Sequence, residues 1–530
     1  MSDTPSIARS SAVVALGTAL SRVTGFARVA AIAYALGVTT VAGVYSYANE
    51  TPNILYELLL GGVLTATLVP FFVRQFEADD ERGTNAVFTT SLVALALITL
   101  VGIVFAPWIV ELYTLRVEAP DLAAQQELAT TFLRLFMPQV FFYGLTALAT
   151  GVLHARRRYA AAAFAPVLNN LVVIAVFLTL ARVADNSITV GGVLDDTALT
   201  LLVGLGTTAG VIAMALALLP ALTRAGARLR FVFDVRDRAV VHLIRLSGWS
   251  VGYVVANQIA LWVVLVFANG VDGGAFAYLS AYAFFQLPHG LFSVSIMTTL
   301  TPEMSSAAAG GDLDALRARL SFGLRLVTVV VLPAAAVLVG LARPIVVAFL
   351  QHGAFDASAS ELVADTLAWF GIGILPFSIY LLTLRVFYAQ TDTRTPFLVN
   401  CVENAVNIAL AIPLFLWLGI PGLALSFSGA YAVGAVVALL VARRRLRRLD
   451  GRRIASVAGR AGAVALAIVA ITWSVGRVVG YERPATAVAT VAIGGLLAAT
   501  TFVVGAWMLR IREVTGLRSI LTRARSAEIV

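Results

Sequence analysis

The chain has 530 residues, of which 60% are hydrophobic and 13% charged, with a formal net charge of +9. An average soluble chain is about 45–50% apolar and about 25% charged. Apolar runs of about 20 residues, the length that crosses about 30 Å of hydrocarbon, recur from end to end. They exclude a soluble enzyme, a fibrous or disordered chain and a disulfide scaffold, and their continuity excludes a β-barrel.

Fourteen spans are predicted. Span 1 (10–36) carries Arg22 and Arg28 in SRVTGFAR. Six residues apart, they lie about 240° around a helix of 3.6 residues per turn, with Arg28 the deeper. Arg28 reads either as a ligand for an anionic group such as a phosphate, which its guanidinium fork fits, or as half of an ion pair with span 2. The span has no small-residue cleavage pattern and is expected to stay in the mature protein. A tight join, Gly37 to Gly43, leads to span 2 (44–73), which reads NETPNILYELLLGG. Asn49, Asn53 and Glu57 recur every four residues on one side, with Glu50 two turns from Glu57. Pro52 is expected to bend the helix. A charged side chain at the bilayer centre costs roughly 2.5–3.5 kcal/mol on insertion scales, so these groups read as cavity-facing or paired.

Spans 3–7 follow at 84–110, 128–153, 160–182, 198–220 and 240–268. In span 8 (274–302), Gln286 and His289 flank Pro288. Span 9 covers 320–341. Span 10 (362–389) carries Arg385 three residues from Tyr388. Span 11 (396–417) carries Asn400, Glu403, Asn404 and Asn407 on one helical stripe. Four oxygen-bearing side chains there suit a sodium ion or a proton, since hard cations take oxygen ligands; polar contacts between helices are the alternative. The turn Gly419-Ile420-Pro421 leads to spans 12–14, at 420–442, 457–477 and 486–509. The lone cysteine, Cys401, and four scattered histidines make no disulfide and no metal cluster.

Every basic residue is arginine. The even-numbered loops hold 20, among them Arg156–Arg158 and seven between Arg443 and Arg453; the odd loops hold five, Arg116, Arg182, Arg343, Arg477 and Arg483. The positive-inside rule places the even loops and both termini in the cytoplasm. This distribution argues for orientation in a cytoplasmic membrane rather than for nucleic acid. The Arg443–Arg453 cluster sets topology or touches anionic membrane lipid.

Residues 153–176 and 387–410 resemble each other at an offset of 234, with Asn170 on Asn404 and Ile174 on Ile408. The match lays spans 4–5 on spans 10–11. An even shift preserves orientation, so the halves are parallel repeats, which favours a transport site between them. The expected fold is an all-α integral membrane protein of about fourteen transmembrane helices. Residues 1–220 and 221–442 form two six-helix lobes, and 443–530 carry spans 13–14 and a cytoplasmic tail. No nucleotide-binding, metalloprotease or metal-ligand motif occurs, so no enzyme, cofactor or metal centre is expected. The drive is then an Na+ or H+ gradient, the membrane potential or the substrate gradient.

SRVTGFAR at 21–28, ANETPNILYELLLGGVLTATLVPFF at 48–72, QLPHGLFSVSIMTTLTPEMS at 286–305 and FYAQTDTRTP at 387–396 closely resemble the MurJ/MviN lipid II flippase family. That family belongs to the multidrug/oligosaccharidyl-lipid/polysaccharide exporter superfamily. The resemblance implies export of undecaprenyl-diphosphate-linked peptidoglycan precursor by alternating access, with Arg22 and Arg28 handling the diphosphate. It also implies a cavity between lobes, a lipid-tail groove at spans 13–14 and partners in cell-wall synthesis and division. Many members have an acid where this chain has Val29, an arginine pair where it has Tyr56 and Glu57, and an acid–arginine pair where it has Tyr282 and Ala283; Gln286 replaces a glutamate. A cavity less cationic than the family's follows. Export of another polyprenyl-linked glycan and cation-coupled drug antiport are the competing readings.

Overall fold

The computed structural model describes residues 4–56, 68–78, 80–118, 122–184, 188–226, 230–511 and 513. Its regular structure is helical throughout these residues, and the chain forms two compact units, Met1–Phe276 with Gly353–Phe355, and Ala277–His352 with Asp356–Val530.

In the first unit α1 runs Thr4–Leu36, α2 Thr40–Tyr56, α3 Val69–Glu77, α4 Glu81–Tyr113, α5 Leu122–Phe136, α6 Pro138–Ala155, α7 Ala160–Val183, α8 Val190–Asp195, α9 Thr197–Arg224 and α10 Arg238–Ala268. In the second, α11 (Gly274–Pro288) passes through a π-helical turn, His289–Ser293, into α12 (Val294–Ala309). Then come α13 (Leu313–Gly340), α14 (Ala342–Leu350), α15 (Ala357–Ala389), α16 (Arg394–Leu418), α17 (Ile420–Arg445), α18 (Gly451–Val479) and α19 (Pro484–Met508). Among the described residues, 12 helical stretches are long and apolar enough to cross a membrane. Residues 57–67 of predicted span 2 lie outside the described residues, and span 8 is split by the π turn, whose extra residue breaks the regular bonding ladder.

Local chemistry sets the ends. Both predicted tight joins are turns at left-handed glycines, Gly37 (φ 63°) and Gly419 (φ 65°), a conformation that side chains resist. Aspartates open several helices by accepting from first-turn amides, Asp80 from Gly83 at 2.7 Å, Asp312 from Ala315 at 2.8 Å and Asp356 from Ala359 at 2.7 Å. Each carboxylate also meets the positive end of its helix dipole.

Within the first unit α1 packs on α7 and α7 on α9. A Cβ at Gly17 would stand 2.8 Å from the Ala163 Cβ, so the small residue sets that approach. Asn170 of α7 then grips α1, donating to the Ser21 carbonyl (3.2 Å) and the Thr24 hydroxyl (3.0 Å). Within the second unit α15 packs on α13 and α17, around Phe285, Phe370, Phe377 and Phe427, whose rings meet at 5.3–5.8 Å.

The internal repeat holds at the level of single hydrogen bonds. Where α6 turns into α7, Arg156, Arg157 and Arg158 donate their amides to Val152, His154 and Leu153 at 3.1, 2.9 and 2.8 Å. At an offset of 234, Gln390, Thr391 and Asp392 donate to Val386, Tyr388 and Phe387 at 3.3, 2.9 and 2.9 Å. Arg157 and Thr391 hold the same left-handed backbone, φ 56° and 58°. Both corners are helix ends of the type that normally takes glycine.

Candidate functional site

The first unit brings Arg28 and Glu50 to one neighbourhood. Asn170 holds the Ser21–Thr24 face of α1 toward α7. Arg28, one turn beyond Thr24, is half-buried, whereas Arg22, two residues before Thr24 and so about 200° around, is exposed. The charges of Arg28 and Glu50 both reach the Tyr143 hydroxyl on α6, and that of Arg28 also reaches Tyr45. Tyr143 packs against Tyr56 with the rings tilted, at 5.5 Å between centroids. Tyr45 is fixed edge-on to Phe136 and Phe177 at 5.6 and 5.0 Å. Among the described residues Arg28 forms no ion pair. The result is a half-buried guanidinium whose charge is felt by the buried Tyr45 and by Tyr143.

The other span 2 groups are placed differently. Asn49 accepts from the fully buried Gln139 of α6 at 3.3 Å, and Gln139 also reaches Thr208 of α9 at 3.2 Å. Its amide therefore links α2, α6 and α9. Asn53 is half-buried, and Glu57 lies outside the described residues. Pro52 sits inside α2. The Gln139 bridge escaped sequence reading because one glutamine after a proline has no periodic signal.

In the second unit the predicted stripe is a single buried face: Asn400, Glu403, Asn404 and Asn407 are 0, 1, 6 and 6% exposed. Asn404 donates to the Asn400 carbonyl at 2.9 Å, and Asn407 accepts from Ser426 of α17 at 3.0 Å. Glu403 differs: both its carboxylate oxygens are buried and lack a hydrogen-bond partner. A Cβ at Gly434 of α17 would stand 3.0 Å from the Glu403 Cγ, so the side chain lies tight against that helix. An unpartnered carboxylate here costs several kcal/mol unless a proton or a cation neutralises it.

Gln286 donates to the Tyr282 hydroxyl at 2.7 Å. His289, buried in the π turn, shares a hydrogen bond of 3.0 Å with Ser378, which Ser293 also reaches at 2.8 Å. Arg385 is exposed near the end of α15. Sequence reading passed over Arg325 of α13, an arginine in an apolar helix whose partner lies 188 residues away. Its Nε meets Glu513 at 2.8 Å with both side chains under 10% exposed, and its Nη1 donates to Ser321 at 2.8 Å.

Comparisons with known proteins place the chain in a family. The family model described as lipid II flippase MurJ matches residues 32–491. A probable lipid II flippase MurJ of Rhizobium meliloti is 29% identical over 446 residues, covering 82% of this chain and 80% of its own. The lipid II flippase MurJ of Burkholderia cenocepacia is 29% identical over 445 residues, covering 81% and 82%. Among solved structures, a lipid II flippase MurJ in an inward closed conformation superposes with a TM-score of 0.77 at 19% identity over 94% of this chain and 99% of its own. An inward-facing multidrug resistance MATE transporter of the MOP superfamily gives 0.65 at 15% identity over 80% and 94%. The fold is thus that of membrane transporters rather than enzymes, and the chain belongs to the MurJ lipid II flippase family.

Proposed function

We propose that this chain moves lipid II, the undecaprenyl-diphosphate-linked peptidoglycan precursor, from the inner to the outer leaflet of the cytoplasmic membrane by alternating access. The observation that carries this reading is Arg28, a half-buried guanidinium with no ion pair among the described residues, whose charge is felt by Tyr45 and Tyr143. The polar headgroup needs such a path, while the polyprenyl tail stays in lipid. Both termini lie in the cytoplasm, following the arginine bias. Outward movement of a diphosphate gains about 2.3 kcal/mol per charge per 100 mV, inside negative.

The dry Glu403 carboxylate supports coupling to H+ or Na+ in the second unit, with Asn400, Asn404 and Asn407 on the same face. Proteins of cell-wall synthesis and division are the expected partners.

The test is complementation. A host depleted of its own flippase is probed with an external enzyme that cleaves lipid II. Expression of this chain restores cleavage at the outer surface, and Arg28→Ala, still present in the membrane, does not. No restored cleavage on expressing this chain, or full activity in Arg28→Ala, would overturn the reading.

A further inference from the structure

The two symmetry-related corners differ in charge: one is an acid–base pair, the other is basic. In the second unit Asp392 sits at the corner and is satisfied on every side. It accepts from the Thr395 amide (2.9 Å) and hydroxyl (2.7 Å) and pairs with Arg445, from the end of α17, at 2.8 Å. Burial pushes its carboxyl up, but the Thr395 hydrogen bonds and Arg445 outweigh that and hold it below the usual range. In the first unit the residue at the Asp392 position is Arg158, and the helix that corresponds to α17 ends in Arg224.

Arg157, Arg158 and Arg224 therefore converge where the other unit keeps an acid–base pair. They line a cavity of about 360 Å³ together with Tyr159, Ala160 and Ala221. No acidic side chain lines it, and none of the three arginines forms an ion pair among the described residues. Arg156 does not compete for this space: its guanidinium donates to the Ala225 carbonyl at 3.1 Å and lies 4.3 Å from the Phe76 ring centre. The first amides of α7, beginning at Ala160, add the positive end of a helix dipole. Arg157 holds its left-handed backbone without being glycine, a cost that persists only where the surroundings enforce it.

We propose that this corner binds the phosphate of an anionic phospholipid headgroup. The chemistry is that of a phosphodiester between guanidinium forks and a helix start. The source is lipid because the corner joins two apolar helices, α6 and α7, at the end that the arginine bias assigns to the cytoplasm, where anionic lipid lies and basic pockets between helices capture its headgroups. That side follows from the orientation given under the proposed function; the phosphate chemistry does not depend on it. The site is separate from Arg28 and takes a resident lipid, not the cargo.

The experiment uses the purified full chain in neutral detergent and reads thermal unfolding against added dioctanoyl phosphatidylglycerol, dioctanoyl phosphatidylcholine or inorganic phosphate. Phosphatidylglycerol is expected to stabilise the wild type saturably, and the other two to leave it unchanged. Arg158→Asp copies the acid of the other unit, and Arg224→Gln removes one fork. Each is expected to raise the half-saturating phosphatidylglycerol concentration on the order of tenfold. Unchanged saturation in both variants, or equal stabilisation by phosphatidylcholine, would overturn the site. Equal saturation by inorganic phosphate would overturn the lipid source. Should Arg158→Asp fail to fold, Arg224→Gln carries the test. No transport is read, so failure of the lipid II assignment would leave the result intact.

Discussion

At one position of the repeat the first unit has Asn169 and the second has Glu403, 234 residues on. Both are buried, at 6% and 1% exposed, and both hold side-chain oxygens without a hydrogen-bond partner. Each packs on a glycine of the following long helix: a Cβ at Gly210 would stand 2.5 Å from the Asn169 Oδ1, and one at Gly434 3.0 Å from the Glu403 Cγ. The frame is the same, and one functional group differs. A dry amide oxygen is a fixed, modest cost, whereas a dry carboxylate changes its charge with the availability of a proton or cation. The first unit thus keeps this position neutral, and the second holds a carboxyl whose charge follows the supply of a proton or cation.

Arg28→Ala should have the largest effect, cutting lipid II flipping about 10–100-fold, the loss of about 1.5–3 kcal/mol from hydrogen bonds to a charged group. Arg28→Lys keeps the charge without the fork and should recover only part of it; external lipid II cleavage measures both. Glu403→Gln gives the second unit the neutral chemistry of the first. It should fold, lower the rate about tenfold if the ion supplies about 1.4 kcal/mol of drive, and abolish the response to pH and Na+; a retained response would separate Glu403 from coupling. The reverse transplant, Asn169→Asp, buries a carboxylate beside Gly210 and should destabilise the chain by about 1–3 kcal/mol, read from thermal unfolding in detergent.

The smallest effect lies outside the membrane. The Ala359 amide, and then Ser358, hold the Asp356 carboxyl below the usual range. Its folded-state pKa is depressed, so its stabilisation is complete above the unfolded value near 3.9 and fades as pH falls through the folded one. Asp356→Ala should cost about 1 kcal/mol at neutral pH and flatten unfolding midpoints measured between about pH 5 and pH 2.

Much of this was legible in the sequence, for identifiable reasons. Apolar runs fix where helices go because an unpaired backbone cannot cross hydrocarbon. The tight joins at Gly37 and Gly419 were readable because few residues tolerate a left-handed backbone. The stripe from Asn400 to Asn407 was readable because helical spacing puts those positions on one face. Periodicity carries no information about which partner a polar group finds. Asn49 therefore looked equivalent to Glu50, although the first is held by Gln139 and the second shares a neighbourhood with Arg28. For the same reason Glu403 looked like its asparagine neighbours, and the exchange of Asp392 for Arg158 between the two corners appeared only when their hydrogen bonds were laid on each other.

The ion pair of Arg325 with Glu513 has a bearing on how the chain tolerates shortening. Its acid sits five residues beyond α19, in the segment predicted as a cytoplasmic tail, yet it neutralises an arginine that is 7% exposed. Proteolytic trimming or an early stop codon ahead of residue 513 would strand that arginine. Removing one partner of a buried pair costs about 3–5 kcal/mol, whereas a stop placed just after Glu513 keeps the pair. The tolerance of the carboxyl end to trimming should therefore change abruptly at one residue, and degradation of truncated chains in the membrane would map that edge.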